Sequence, residues 1–233
     1  MNLSKYRSKP LVWWLGTPLY ASRIIRKVAR TEAYNLIHSS VPVWKMAGKP
    51  MPAPLVLRRA LLRDLAQSNG LKIFVETGTW RGDTVEAMLP HAEKIYSVEL
   101  SDSFFAAAQQ RFESNPKVSL LHGDSTHCLP EILKEIDAPA LFWLDGHYSW
   151  EDTACGEKET PIEEEVACVL NWAKQNPFAQ TSVILIDDAR DFGKGDYPSI
   201  AKLRQMIQSE FPQARVNVEM DIIRVGLSTN VKI

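Results

Sequence analysis

The stretch Leu71-Lys72-Ile73-Phe74-Val75-Glu76-Thr77-Gly78-Thr79-Trp80-Arg81-Gly82, followed by Asp83-Thr84-Val85-Glu86-Ala87-Met88-Leu89, decides how this chain is read. Residues 71–77 are a strand-like apolar run, two glycines then punctuate a tight turn, and residues 83–89 open a helix. Glycine lets the backbone turn sharply and approach a ligand closely. The unpaired N–H groups at a helix start favour an anionic or carboxylate-bearing group. The spacing is acidic-x-Gly-x-x-x-Gly, with Glu76, Gly78 and Gly82 as fixed points. It differs from the Gly-x-Gly-x-x-Gly of dinucleotide sites. The expectation is a strand–turn–helix cradle for a nucleotide-like ligand.

Outward from this motif the chain alternates strand and helix. Strands are expected at 94–100, 117–122, 140–145 and 182–187, and helices at 102–114, 127–136 and 161–175. The strands are continuous apolar runs rather than alternating ones, which marks a parallel sheet buried on both faces. A helix over 198–210 leads to 215–219 and 222–227, read as a closing antiparallel hairpin. Upstream, 54–67 reads as a helix closed by Gly70. Together these give an α/β fold: a doubly wound, Rossmann-like seven-stranded sheet, mostly parallel with a C-terminal antiparallel hairpin.

Composition divides the chain in two. Overall it is 45% hydrophobic and 24% charged with a net charge of -1, ordinary for a globular protein. Residues 1–60, however, carry eleven Lys/Arg against one acid, Glu32, whereas the remainder carries sixteen against twenty-seven. Residues 1–53 are therefore read as a basic arm and linker, marked by Pro42, Pro50, Pro52 and the following Pro54, and residues 54–233 as the body. Within the arm, 18–37 places Arg23, Arg26, Lys27 and Arg30 among Leu19, Ile24, Ile25, Val28, Leu36 and Ile37. A basic amphipathic helix of this kind can lie on an anionic membrane, dock on a partner, or pack on the protein's own acidic body. The apolar run Leu11–Leu15 is far shorter than the ~20 residues that span a bilayer. Cys128, Cys155 and Cys168 have no metal-ligand or redox spacing and read as reduced thiols. The chain is expected in the cytoplasm, with peripheral contact to the inner face of the membrane as a further expectation for the arm. A homo-oligomer is compatible with the sequence.

In doubly wound sheets, ligands sit outside the carboxyl ends of the strands at the switch point. The strands here end in Glu76-Thr77-Gly78, Glu99-Leu100-Ser101, His122-Gly123-Asp124-Ser125, Asp145-Gly146-His147-Tyr148 and Asp187-Asp188-Ala189-Arg190. Any one acid could be a turn former or helix cap; five in register point to a site. Glu99 lies about twenty residues beyond the glycine turn, where a carboxylate can accept ribose hydroxyls. Asp124 and Ser125 sit where an adenine amino group could be bound. The glutamates Glu163, Glu164 and Glu165 read more simply as acids favouring a helix N-terminus. The long polar loop Ser149–Pro161, with Lys158 and Glu159, and the glycine-bearing loop Asp191–Tyr197 read as lids.

These five blocks, over about residues 54–227, resemble class I S-adenosylmethionine (SAM)-dependent methyltransferases of a bacterial family. The resemblance implies SAM as cofactor, with Glu76, Gly78, Thr79 and Gly82 forming the methionine-side loop. Glu99 would take the ribose, and Asp124 and Ser125 the adenine side. Carboxylates at Glu76 and Asp145 would balance the sulfonium and ammonium charges. More narrowly, Asp145, Asp187 and Asp188 fall where metal-dependent O-methyltransferases of the catechol and macrocin types place metal-binding acids or amides. Three oxygen ligands with open positions suit Mg²⁺. The catechol type has a lysine base three residues after the first metal acid, whereas this chain has Tyr148 there. That departure leaves His147 as the nearest base, with Asp191 a weaker choice, and leaves metal-dependent and metal-independent chemistry both open. The implied reaction is O-methylation of a hydroxylated small molecule, a sugar or glycan intermediate foremost, with Asp145 and His147 as catalytic residues. The other class of function is a non-catalytic SAM-binding protein that docks through its arm. The acidic body disfavours nucleic acid as a partner.

Overall fold

The computed structural model describes residues 36–145 and 160–233. The chain divides into two compact units, residues 1–57 and 58–233. In the described part of the first, helix α1 (Val41–Met46) begins with Pro42 in its first turn. The sequence marks this stretch as a linker. Proline instead opens a helical turn, because its fixed φ and missing N–H suit the first position. Trp44 is buried, and its indole N–H donates to the Pro50 carbonyl at 2.7 Å.

Helix α2 (Leu55–Asn69) leads into the second unit and ends at Gly70, whose φ of 66° terminates it as expected. The sheet that follows has the order β3-β2-β1-β4-β5-β7-β6. Strands β1 (Ile73–Thr77), β4 (Ala140–Leu144) and β5 (Val183–Ile186) are buried at every position, as their unbroken apolar runs require. Their side chains alternate between two cores. Val75, Phe142 and Ile184 pack with helices α5 (Ser125–Glu135), α6 (Ile162–Gln175) and α7 (Ile200–Glu210). Phe74, Leu141 and Leu185 pack with α2, α3 (Asp83–Met88) and α4 (Asp102–Phe112).

Strands β2 (Lys94–Glu99) and β3 (Val118–His122) run parallel on one side of β1, and β4 and β5 on the other. The order therefore reverses between β1 and β4, which is where a crevice opens in this fold. Strands β6 (Arg215–Glu219) and β7 (Ile222–Gly226) form the expected hairpin, and β7 lies antiparallel beside β5. Two residues with positive φ, Met220 (55°) and Asp221 (68°), join them, the conformation that matches strand twist in a tight hairpin. The seven-stranded Rossmann-like α/β sheet read from the sequence is thus the fold. Element ends shift by a few residues. Helix α5 starts at Ser125 rather than 127 because Asp124 caps it, accepting the Thr126 N–H at 2.8 Å.

Candidate active site

Parallel register brings the acidic strand ends level. Thr77 pairs with Leu144 and Leu144 with Ile186. The next residues continue the ladder: Asp145 N–H donates to the Thr77 carbonyl and Asp187 N–H to that of Leu144, both at 3.1 Å. Glu76, Asp145 and Asp187 therefore emerge side by side across the switch point.

Glu76 is 1% exposed, and its Oε1 accepts from the Ser97 hydroxyl at 2.7 Å. Thr79 Oγ1 lies 2.5 Å from Ser97 Oγ and 3.2 Å from the Val98 carbonyl, so its side chain braces the turn. Burial pushes the Glu76 carboxyl up to about 8, and the nearby Asp145 and Glu99 carboxylates add to the rise, while the Ser97 hydroxyl opposes it.

Gly78 (φ 91°) and Gly82 (φ 75°) supply the turn, and Trp80 (φ 47°) joins them in the left-handed region. A Cβ at Gly82 would lie 2.6 Å from Phe112 Cε2, so close packing on α4 is a second reason for glycine there. The sequence reads open N–H donors at the helix start, where α3 has no side-chain cap, whereas the amides of the turn itself are occupied. The Gly78 and Thr79 amides donate to the Val98 carbonyl, Gly82 to Thr79, and Trp80 to Glu99 Oε2 at 2.7 Å. The loop spends these donors on β2 and on its own turn, so its contribution to a site is shape and the acids beside it. Glu99 Oε1 accepts a second amide, that of Ser101, at 2.8 Å. One Asp124 oxygen serves the cap of α5, taking both the N–H and the hydroxyl of Thr126. Ser125 is buried at the first turn of that helix.

Asp145, Asp187 and Asp188 converge: their nearest oxygens all lie within 4.8 Å of one another. Asp187 and Asp188 are buried. Burial and the Asp145 charge hold Asp187 well above the usual carboxylate range, and Arg58 opposes them. Arg58 reaches from α2 to ion-pair with Asp187 Oδ2, and Asp187 Oδ1 accepts the Asp188 N–H at 2.9 Å. Asp188 (φ 55°) pairs with Arg190 at 2.6 Å. Arg190 is held in turn by Asp221 at the hairpin tip, which accepts both its guanidinium and, at 2.8 Å, its backbone N–H. The antiparallel hairpin thus locks the loop that presents Asp188.

Arg58 and Asp221 escape the sequence reading, and Glu165 and Arg190 are named in it without their part in the site. Glu165 is 1% exposed and lies on the face of α6 carrying Ile162, Val166 and Val169, so its role is more than favouring a helix start. Burial lifts its carboxyl to about 7; the Ser125 and Thr77 hydroxyls oppose the rise, and Asp124 and Asp145 add to it. Its Oε1 has no hydrogen-bond partner among the described residues. Helical period could have found Glu165 and Arg58, because Arg58 shares the buried face of α2 with Leu62, Leu65 and Ala66. His147, Tyr148, Cys155, Lys158 and Glu159 lie outside the described residues, as does nearly all of the amphipathic segment 18–37.

No protein-family model matches the sequence, and no curated protein matches it. Solved structures do match in shape. The chain is similar over 84% of its length to 90% of an O-methyltransferase from Bacillus cereus in complex with SAH (17% identity, TM-score 0.52). It is similar over 84% of its length to 86% of the SAH-bound methyltransferase PaMTH1 of Podospora anserina (15% identity, TM-score 0.50). At these identities the likeness establishes the fold, the Rossmann-like sheet that sets acidic strand ends around a glycine turn.

Proposed function

We propose that the chain is a SAM-dependent methyltransferase acting on a hydroxyl of a sugar, a glycan intermediate or another small hydroxylated molecule. The observation that carries this reading is the surplus of carboxylates at the switch point. Glu76, Glu99, Asp124, Asp145, Glu165, Asp187 and Asp188 gather there against Arg58 and Arg190. Such a cluster repels a pyrophosphate through its charged members, and a ligand of net positive charge draws the raised acids Glu76, Glu165 and Asp187 into their ionised form. The SAM- and SAH-linked neighbours of the same fold support the choice.

When bound, SAM supplies an electrophilic methyl group on a positively charged sulfur. Glu99 would hold the ribose, since each of its oxygens keeps a lone pair beyond its amide bond. Asp124 and Ser125 would face the adenine side, and Gly78, Thr79 and Gly82 would shape the methionine side. Glu76 and Asp145 would balance positive charge. The acceptor oxygen must lose its proton as it attacks, and His147 would take it. Asp145, Asp187 and Asp188 offer a hard oxygen donor set that fits Mg²⁺, which would lower the acceptor's pKa and fix its position. A second, metal-independent reading draws support from the guanidiniums of Arg58 and Arg190, which already neutralise two of these acids.

Calorimetry with SAM and SAH, then turnover against a panel of sugars and other hydroxylated acceptors, tests the proposal. Failure to bind either nucleoside refutes it. Activity abolished by EDTA and restored by Mg²⁺ selects the metal-assisted form, and activity indifferent to chelation selects the other.

The basic arm would add docking on an anionic membrane. Exposed Leu36, Met46, Met51, Leu55 and Val56, in a sequence whose residues 1–49 carry nine Lys/Arg, support this role. No helix among the described residues is long and apolar enough to cross a membrane.

A further inference from the structure

Glu165 is anomalous among the acids of the site. Every buried acid of the site has a donor from the chain, and Glu165, served by the Ser125 and Thr77 hydroxyls, differs in having one oxygen left over. Glu76 has the Ser97 hydroxyl, and Glu99 the amides of Trp80 and Ser101. Asp187 has Arg58 and the Asp188 amide, and Asp188 has Arg190. Glu165 is as deeply buried as Glu76, yet its Oε1 has no hydrogen-bond partner among the described residues. A buried acceptor left unmade is a standing destabilisation, and a leucine would complete the apolar face of Ile162, Val166 and Val169 without it. The position keeps an acid where the fold alone would favour an apolar residue.

The surroundings define what could satisfy that oxygen. The Thr77 and Ser125 hydroxyls act on the carboxylate, and the Asp124 and Asp145 carboxylates stand near it. Thr77 ends β1 and Asp145 follows β4, so Glu165 belongs to the β1–β4 switch point, between the glycine turn and the aspartate triad. Asp145 N–H also lies 3.2 Å from Thr77 Oγ1, which links this acid to the strand end that faces it. Neighbouring carboxylates exclude an anion. A cation or a hydrogen-bond donor is the partner that fits, and a ligand entering the switch point can bring one.

We propose that Glu165 is a charge-selective binding residue that favours the positively charged methyl donor over its neutral product. The inference rests on the SAM reading above. In methyl transfer the S–CH₃ bond breaks as the O–CH₃ bond forms, and the sulfur keeps the electron pair and becomes an uncharged thioether. The acceptor's proton leaves to a base. A carboxylate held in a low-dielectric floor, with no counter-ion among the described residues, stabilises the ligand before this step and loses that interaction after it. Product release is helped by the same device.

The test is binding by the full chain at pH 8, with wild type, Glu165→Gln and Glu165→Leu titrated with SAM and with SAH. Both variants are expected to bind SAM about tenfold more weakly and SAH within about twofold of wild type, tenfold being 1.4 kcal/mol. Glu165→Asp, which keeps the charge, is expected to keep most of the preference. Glu165→Leu removes the buried charge and is expected to fold should Glu165→Gln fail. Equal losses for both ligands, or no loss for either, overturn the proposal while leaving the SAM reading intact. A wild-type chain that binds neither ligand overturns the SAM reading and this proposal together.

Discussion

Replacing Glu76 with glutamine should stabilise the ligand-free protein while weakening its hold on SAM. The carboxyl is fully buried in β1 with one hydroxyl donor, and its pKa stands near 8 against 4.5 for an ordinary glutamate. A raised folded-state pKa means the native state holds a proton that the unfolded chain has released. Stability from this group is therefore whole below about pH 4.5 and is lost as pH rises to about 8. At 1.36 kcal/mol per unit, the loss is on the order of 3 kcal/mol at neutral pH and 4–5 kcal/mol above pH 8. Glutamine does not titrate, and its carbonyl can still accept from Ser97. Glu76→Gln should thus unfold almost with wild type at pH 5. At pH 8.5 it should unfold on the order of 10–20 °C higher, at about 2–4 °C per kcal/mol for a body of this size. Calorimetric melts of both proteins at the two pH values read this directly. The same substitution should shrink the rise in Tm that saturating SAM gives wild type, because the charge that strains the free protein is the charge proposed to balance the ligand. An equal shift at both pH values, or a loss of stability at pH 8.5, would refute the reasoning.

Other outcomes follow from single contacts. Arg58→Gln leaves Asp187 buried without its guanidinium and should cost about 3–5 kcal/mol in denaturant titration at pH 8. Recovery of that loss on adding Mg²⁺ is expected if the triad takes a metal; no recovery favours the metal-independent reading. Gly82→Ala places a Cβ 2.6 Å from Phe112 Cε2 at φ 75°, and should destabilise by about 1–3 kcal/mol. Pairing it with Phe112→Leu should recover only the steric part, and an unchanged melting temperature for Gly82→Ala alone would contradict the packing argument. Full-length protein should sediment with anionic vesicles and not with neutral ones. Met46→Glu, at a side chain 88% exposed, should weaken that binding, whereas indifference to lipid charge would count against membrane docking.

What the sequence discloses and what it hides have one physical origin. A strand buried on both faces must be apolar throughout, so Val183–Ile186 and Ala140–Leu144 betray themselves without their neighbours. The two residues between Glu219 and Ile222 likewise allow little besides a tight hairpin. The strand-end acids are legible for the same reason: an acid terminates an apolar run. A charge inside a helix is different, because whether it is buried depends on what the facing element brings. Glu165 stands at the inward position of α6, yet within a run of three glutamates it reads as solvated. Its burial is decided by Thr77 and Ser125, distant in sequence. Arg58 is tolerated on the inner face of α2 only because Asp187, 129 residues later, meets it. The partners of the Gly78, Thr79 and Trp80 amides are set by the register of β2, which brings the Val98 carbonyl and the Glu99 carboxylate to them. Cross-strand register and paired buried charges are long-range facts, and they are the facts that shape this site. The acids visible in sequence locate the site, and the partners that arrive from elsewhere in the fold set the charge of each. Glu165 Oε1, a carboxylate oxygen of the site without a chain-supplied partner among the described residues, is accordingly where a ligand's charge should register most strongly.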